Sequence, residues 1–191
     1  IEIWDIQMSK LGNEIHKTRA EFLTSFIPVF KKFYNEIAIE EENVKIAYRS
    51  QLNEFDFSEL LKEYHKKDSF TQYSNVGTHK DDLLFTIKEH PIKKFGSQGQ
   101  QKSFIIALRL AQFEWLKTMK ETSPILLLDD IFDKLDHERV QKLVSLVTTK
   151  FFGQVIISDT DKDRMVKLLN SLSIQSKLFE TENGTVKEIS I

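Results

Sequence analysis

The stretch Ile125-Leu126-Leu127-Leu128-Asp129-Asp130 decides how this chain is read. It follows Pro124, and its apolar run of four is too short for a helix. Such a run fits a strand buried on both faces, as in a parallel sheet. The strand ends in two adjacent acids. Its C-terminal end would open into the crevice where α/β sheets bind ligands. An acid at that tip can hold magnesium beside a nucleotide, which makes Asp129 a candidate metal ligand. Asp130 is then a candidate to orient or deprotonate an attacking water. Taken alone, the six residues also fit a core strand with a solvated acidic end.

Working outward, Asp136 is placed to cap a helix bearing Val140, Leu143, Val144 and Val147. On its own Asp133-Lys134-Leu135-Asp136 reads as a helix start. Val155–Ile157 reads as a second short buried strand, and a helix is expected around Met165–Leu172. Asn183–Gly184 is a strong two-residue turn between strands at 177–181 and 186–191. Upstream, Ser97-Gln98-Gly99-Gln100-Gln101 opens a helix carrying Phe104, Ile105, Leu108, Ala111, Trp115 and Leu116, with Ser97 and Gln100 as a capping box. A helix start with a hydroxyl, free N–H groups and a glycine can seat a phosphate. It also reads as an ordinary capped amphipathic helix. Lys102, just inside, either adds to an anion site or lies in solvent. Leu83, Phe85 and Ile87 alternate as a strand, and Gly77-Thr78-His79-Lys80-Asp81-Asp82 reads as the loop leading into it. Alternating strands and helices imply an α/β layered domain with a mainly parallel sheet and an antiparallel edge.

Residues 1–72 read differently. Trp4, Met8, Leu11, Ile15, Phe22, Phe26, Phe30 and Phe33 recur at mostly helical spacing, and Pro28 is expected to kink or break that run. The phenylalanines read as helix core rather than as a platform for bases. Val44, Ile46 and Tyr48 alternate as a short strand, and Asp56 with Glu59 looks like a capping box. The expected division is a mainly helical part at 1–72 and a layered part at 73–191.

Composition narrows the classes. The chain has 191 residues, with 27 Lys+Arg against 29 Asp+Glu, 40% apolar and 29% charged residues, which excludes bulk disorder. No apolar run approaches the roughly 20 residues of a membrane-spanning helix. There is no cysteine, so disulfides, thiol nucleophiles and Cys-based zinc sites are excluded. Ile1-Glu2-Ile3-Trp4-Asp5 does not read as a signal peptide, so a cytoplasmic protein is expected. The missing initial Met suggests a piece of something longer. Residues 1–76 hold 10 basic and 13 acidic side chains and residues 77–191 hold 17 and 16, so neither part is basic enough to announce nucleic acid.

Four motifs in order, Gly77–Leu83, Ser97–Gln101, Leu126–Asp130 and Leu135-Asp136, resemble the RecF family of the ABC/SMC-like ATPase class. Trp4-Asp5, Gly12, Arg19 and Tyr48-Arg49-Ser50 are similar to that family's helical lobe. The resemblance spans essentially the whole chain and corresponds to the C-terminal part of a RecF. It implies an ABC-ATPase-like head joined to a helical lobe. Ser97, Gln98, Gly99, Gln100 and Gln101 would form the signature that contacts ATP held by the opposite subunit. Asp129 would be the Walker B acid for Mg2+, Asp130 the catalytic carboxylate, and Asp133 and Asp136 members of the D-loop. Ser158 and Thr160 stand at the switch position. Thr78 and Lys80 depart from the family's usual Pro and Arg, and Asp133 from a common Ser. By resemblance the whole protein would be a weak DNA-dependent ATPase of replication, recombinational repair and the SOS response. It would form an ATP-dependent homodimer on double-stranded and gapped DNA, with RecR and RecO as partners and RecA loading as the outcome. No Gly-x-x-x-x-Gly-Lys-Ser/Thr occurs in the chain, so this stretch alone is expected to be inactive and to bind ATP and Mg2+ weakly. Other readings are a long-coiled-coil SMC-like ATPase, a non-catalytic interaction module, and a magnesium-dependent phosphatase or phosphotransfer domain. The helical segment lacks the sustained heptads of the first. Asp129–Asp130 argues against the second, and the third leaves the Ser97 motif unexplained.

Overall fold

A computed structural model describes residues 2–120, 122–149, 151–171 and 175–189. The chain forms two compact units, residues 1–32 with 41–97 and residues 33–40 with 98–191. Residues 73–97, grouped by sequence with the layered part, cluster with the first unit, because the strands they contain pair there.

In the first unit, helix α1 (Glu2–Ile37) supplies its long N-terminal portion. Strands β1 (Val44–Arg49), β2 (Asp82–Ile87) and β3 (His90–Pro91) form an antiparallel sheet in the order β1-β2-β3. Val44 faces Ile87, Ile46 faces Phe85 and Tyr48 faces Leu83, so the alternating apolar residues of the two strands share one side. Helix α2 (Phe57–Thr71) starts where its sequence predicts. The Asp56 carboxylate accepts from the N–H groups of Ser58 and Glu59, which also holds that carboxyl below its usual range; the bond from the Ser58 hydroxyl is the largest cause. Phe57, Leu60, Leu61 and Val76 make the local core, with Leu52 and Tyr64 packed against it. The Phe57 ring sits between two glycines. A methyl group at Gly12 would lie 2.3 Å from its Cε1, and one at Gly77 would lie 2.9 Å from its Cζ. A short helix α3 (Ile92–Phe95) closes the unit.

The second unit begins with the last turns of α1. Of the kink or break expected at Pro28, the break does not occur: α1 is continuous through it. The proline removes one backbone donor, but Phe33, Tyr34 and Ile37 beyond it are all 2% exposed or less, and their burial outweighs one lost hydrogen bond. Helix α4 (Gln98–Lys120) buries Phe104, Ala107, Leu110, Ala111 and Phe113. Tyr34 meets Phe104 edge-on at 6.0 Å, and Phe33 and Phe113 approach Phe152 at 6.0 and 5.1 Å. Strands β4 (Leu126–Asp129) and β5 (Val155–Ser158) pair in parallel, joined through α5 (His137–Val147). Helix α6 (Lys162–Ser171) and the antiparallel pair β6 (Leu178–Glu182) and β7 (Thr185–Ile189) follow. Asn183 and Gly184 both have positive φ, 48° and 77°, the geometry a tight hairpin turn requires. Leu172, Ser190 and Ile191, expected in the last helix and strand, lie outside the described residues. The fold is therefore α/β, with one parallel pair and antiparallel ladders.

β4 is not buried on both faces. Leu126 is 7% exposed, whereas its neighbour Leu127 is 68% exposed and Ile156, directly across on β5, is 49% exposed. Burial alternates because this sheet has two strands and, among the described residues, a packed layer on one side only.

Candidate functional site

Asp129 ends β4 directly opposite Ser158 at the end of β5. The Ser158 hydroxyl donates to the Asp129 carboxylate, so the switch candidate orients the candidate metal ligand. The Asp130 N–H donates to the Ser158 carbonyl at 3.1 Å, extending the ladder by one residue. There the strand direction ends: Asp130 has φ 50°, a left-handed backbone unusual for a non-glycine residue. Ile131 and Leu135, 2% and 9% exposed, anchor the loop beneath, while Asp129, Asp130 and Asp133 stay exposed. Thr160 is exposed in the segment that leads to α6.

Asp136 caps α5, accepting from the Arg139 N–H at 2.9 Å, as its place before the apolar run predicts. Arg139 was not foreseen. Its side chain is buried, its Nε lies 3.2 Å from the Asp136 carboxylate, and its Nη1 donates to Ser103 Oγ on α4 at 3.2 Å. Lys102 of α4 donates to the Asp130 and Asp133 carbonyls, both at 2.6 Å. At Gly99 a methyl group would lie 3.4 Å from the Lys134 carbonyl. The first turns of α4 therefore lie against the loop that follows the β4 tip. Between α4 and β4 runs a groove of about 180 Å³, lined among others by Lys102, Ile106, Leu128 and Asp129. Ser97 immediately precedes α4.

A second unforeseen contact joins the segments after the two strands. Asp159 has a fully buried side chain, paired to Arg164 Nη2 at 3.3 Å, and the Arg164 guanidinium stacks over Phe132 at 4.7 Å. No pattern in the sequence marks this pair.

In the first unit, the Gly77–Leu83 motif has a defined job. The Asp81 carboxylate, 4% exposed, accepts from Arg19 Nη1 at 2.7 Å and from the Tyr48 hydroxyl. Arg19 also donates to the Thr78 carbonyl at 2.7 Å, and Arg49 pairs with Asp82 at 3.0 Å. Burial, and then the bond to Asp81, push the Tyr48 phenol up. Burial works against the Arg19 charge, but the bonds to Tyr48 and Asp81 outweigh it and raise its value. Arg19, Tyr48 and Asp81, far apart in sequence, thus converge.

Among the described residues no three acidic or histidine side chains converge to hold a metal by themselves. One exposed carboxylate held by a serine suits magnesium that takes its remaining oxygens from phosphates and water. Asp129 with Ser158 fits that requirement.

No family model matches the chain. Among curated proteins it is 49% identical over 179 residues to the DNA replication and repair protein RecF of Flavobacterium johnsoniae, covering 94% of this chain and 50% of that one. It is 44% identical over 187 residues to the protein of the same name from Phocaeicola vulgatus, covering 97% and 50%. Among solved structures it matches one described as the recombination mediator protein RecF-ATP in the RecFOR pathway. That match has a TM-score of 0.72 at 24% identity, over 99% of this chain and 50% of that one, and shows a shared fold. The chain spans about half the length of the curated relatives it matches and, on identity sustained along nearly all of its own length, belongs to the RecF family.

Proposed function

We propose that this chain supplies the signature, Walker B and D-loop part of an ATP-controlled DNA clamp acting in recombinational repair and replication restart. In this reading two subunits sandwich two ATP molecules. Each subunit cradles one ATP with a phosphate loop carried elsewhere in the longer protein. Ser97, Gln98, Gly99, Gln100 and Gln101 of the partner close on its γ-phosphate. The start of α4 suits that role: the first N–H groups of a helix lack intrahelical partners, and the helix dipole favours an anion there.

Within one subunit Asp129 would hold Mg2+, with Ser158 fixing its carboxylate, and the ion would neutralise charge on the phosphates. Asp130 would orient the attacking water and take its proton. Asp133 and Asp136 would carry contacts across the dimer, and Ser158 or Thr160 would sense the γ-phosphate weakly. The stretch alone, without a phosphate loop, would neither bind ATP tightly nor turn it over. Closing the dimer would shape a surface that grips double-stranded DNA near gaps. With a net charge of −2, that grip needs a local basic surface or the rest of the protein. RecR and RecO would be the partners through which RecA is loaded, in the cytoplasm. The first compact unit would be the helical lobe, taken to residue 97 rather than 72 because β2 pairs with β1. The exposed Leu127 and Ile156 suit a sheet face that the remainder of an ATPase head would cover.

The observation that carries this reading is the seating of the α4 start on the loop beyond Asp129–Asp130 through Lys102, Gly99 and Arg139. A complementation experiment tests it in the longer protein. Ser97→Ala and Asp129→Asn proteins, each nearly inactive, are mixed and assayed for ATP hydrolysis. If random pairing makes half the dimers mixed, and each mixed dimer has one intact composite site, roughly a quarter of wild-type activity returns. Activity no higher than the mean of the two variants would reject the shared pocket.

A further inference from the structure

Asp130 and Lys134 both hold left-handed backbone, with φ of 50° and 61°. Non-glycine residues avoid that region and persist in it only where the surroundings fix them. Backbone hydrogen bonds act on the loop at two points: the Asp130 N–H on the Ser158 carbonyl at 3.1 Å, and the Asp133 N–H on the Asp130 carbonyl at a long 3.3 Å. A stronger restraint comes from α4. The Lys102 ammonium, which has three donors and no acceptor, reaches the Asp130 and Asp133 carbonyls, both at 2.6 Å. One cation thereby clips two carbonyls of a single tight turn. The next residue of α4, Ser103, accepts from Arg139, whose guanidinium also pairs with Asp136 where the loop ends. Residues 102 and 103 of one helix thus grip both ends of one strained loop.

We propose that Lys102 is a positioning residue, which locks Asp130 in its left-handed conformation and makes that conformation depend on where the start of α4 sits. The proposal rests on the reading of Asp130 as the catalytic carboxylate and deepens it. Movement of the signature end of α4 would move the Lys102 ammonium, and through two carbonyls the carboxylate that orients the water. Arg139 provides the second grip, so the loop shifts with the helix rather than tearing from it. The two carbonyls lie at an exposed site where water can replace the ammonium, so losing the clip loosens the loop without unfolding the unit.

The test uses the longer protein that contains this chain, with Lys102→Met, which keeps the stem and removes the donors, and Lys102→Arg, which restores donors. Two readouts are taken: kcat and KM for ATP, and amide exchange at Asp133. In Lys102→Met we expect kcat to fall roughly 10- to 100-fold with KM changed by no more than about twofold. The Asp133 amide should exchange about tenfold faster. Lys102→Arg should recover most of both. A variant with wild-type kcat and wild-type Asp133 protection overturns the proposal. So does a fall in kcat with unchanged protection, since Lys102 would then act on the nucleotide itself. If the wild-type protein shows no ATP turnover, the functional reading fails separately, and Asp133 exchange alone decides whether the clip exists. If Lys102→Met folds poorly by circular dichroism, Lys102→Gln takes its place under the same criteria.

Discussion

Substituting Gly12 by Ala tests the packing of the first unit at its tightest point. The new methyl carbon would stand 2.3 Å from Cε1 and 2.6 Å from Cδ1 of Phe57. Carbon atoms pack best at about 3.5–4.0 Å, so the ring would have to retreat by about 1 Å or more. It has little room to do so. Phe57 is 3% exposed and packs with Leu60, Leu61 and Val76, and its far edge lies against Gly77. Overpacking of this kind costs about 1–3 kcal/mol, and replacing glycine within a helix by alanine returns about 1 kcal/mol. With so close an approach the upper range applies, and a net loss of about 1–2 kcal/mol is expected. The decisive comparison is with Phe57→Leu, which removes the ring edge. In that background Gly12→Ala should stabilise by about 1 kcal/mol, because only the helix propensity remains. The four proteins form a double-mutant cycle read by urea unfolding, with an expected coupling of about 2–3 kcal/mol. A coupling below about 0.5 kcal/mol would refute the assignment of Phe57 as the group that requires glycine at position 12.

Two further outcomes follow from named contacts. Asp136→Ala removes the α5 cap and leaves the buried Arg139 without that carboxylate, so urea unfolding should show a loss of about 1–2 kcal/mol, and Asp136→Asn, which can still cap, should lose less. Because the Tyr48 phenol is raised in the folded state, its stabilising contribution is complete below its unfolded value of about 10 and is lost as pH climbs through the higher folded value. The urea midpoint should therefore fall across that alkaline window, and Tyr48→Phe should flatten the fall.

Local signals carried well from sequence to structure where one residue's chemistry decides the outcome. Asp56 and Asp136 cap the helices they precede, and Asn183–Gly184 makes its turn, because caps and tight turns depend on a few neighbouring atoms. Pro28 does not break α1, because the penalty it carries is local, while the burial that outweighs it comes from residues further along the helix. Leu127 misled for the opposite reason: an apolar run shows that a strand can be buried on both faces, not that this chain supplies both covers. At the candidate site, the end of a strand at Asp129 and the start of a helix after Ser97 were legible from the local residue pattern. Lys102 and Arg139 were not. A lysine just inside a helix looks like solvent-facing charge, and its contacts appear only once the loop turns left-handed at Asp130 and brings the carbonyls of Asp130 and Asp133 to it. The Arg19–Asp81 pair, linking residues 62 apart in sequence, likewise has no local signature.

The central claim is that nucleotide is shared between two copies of the protein. Sedimentation of the longer protein carrying Ser97→Arg, with and without ATP, tests it most directly. The account predicts that the wild-type protein dimerises when ATP is added and that the variant stays monomeric while binding ATP with nearly wild-type affinity. Loss of nucleotide binding by the monomeric variant would contradict it, as would a variant that still dimerises on ATP.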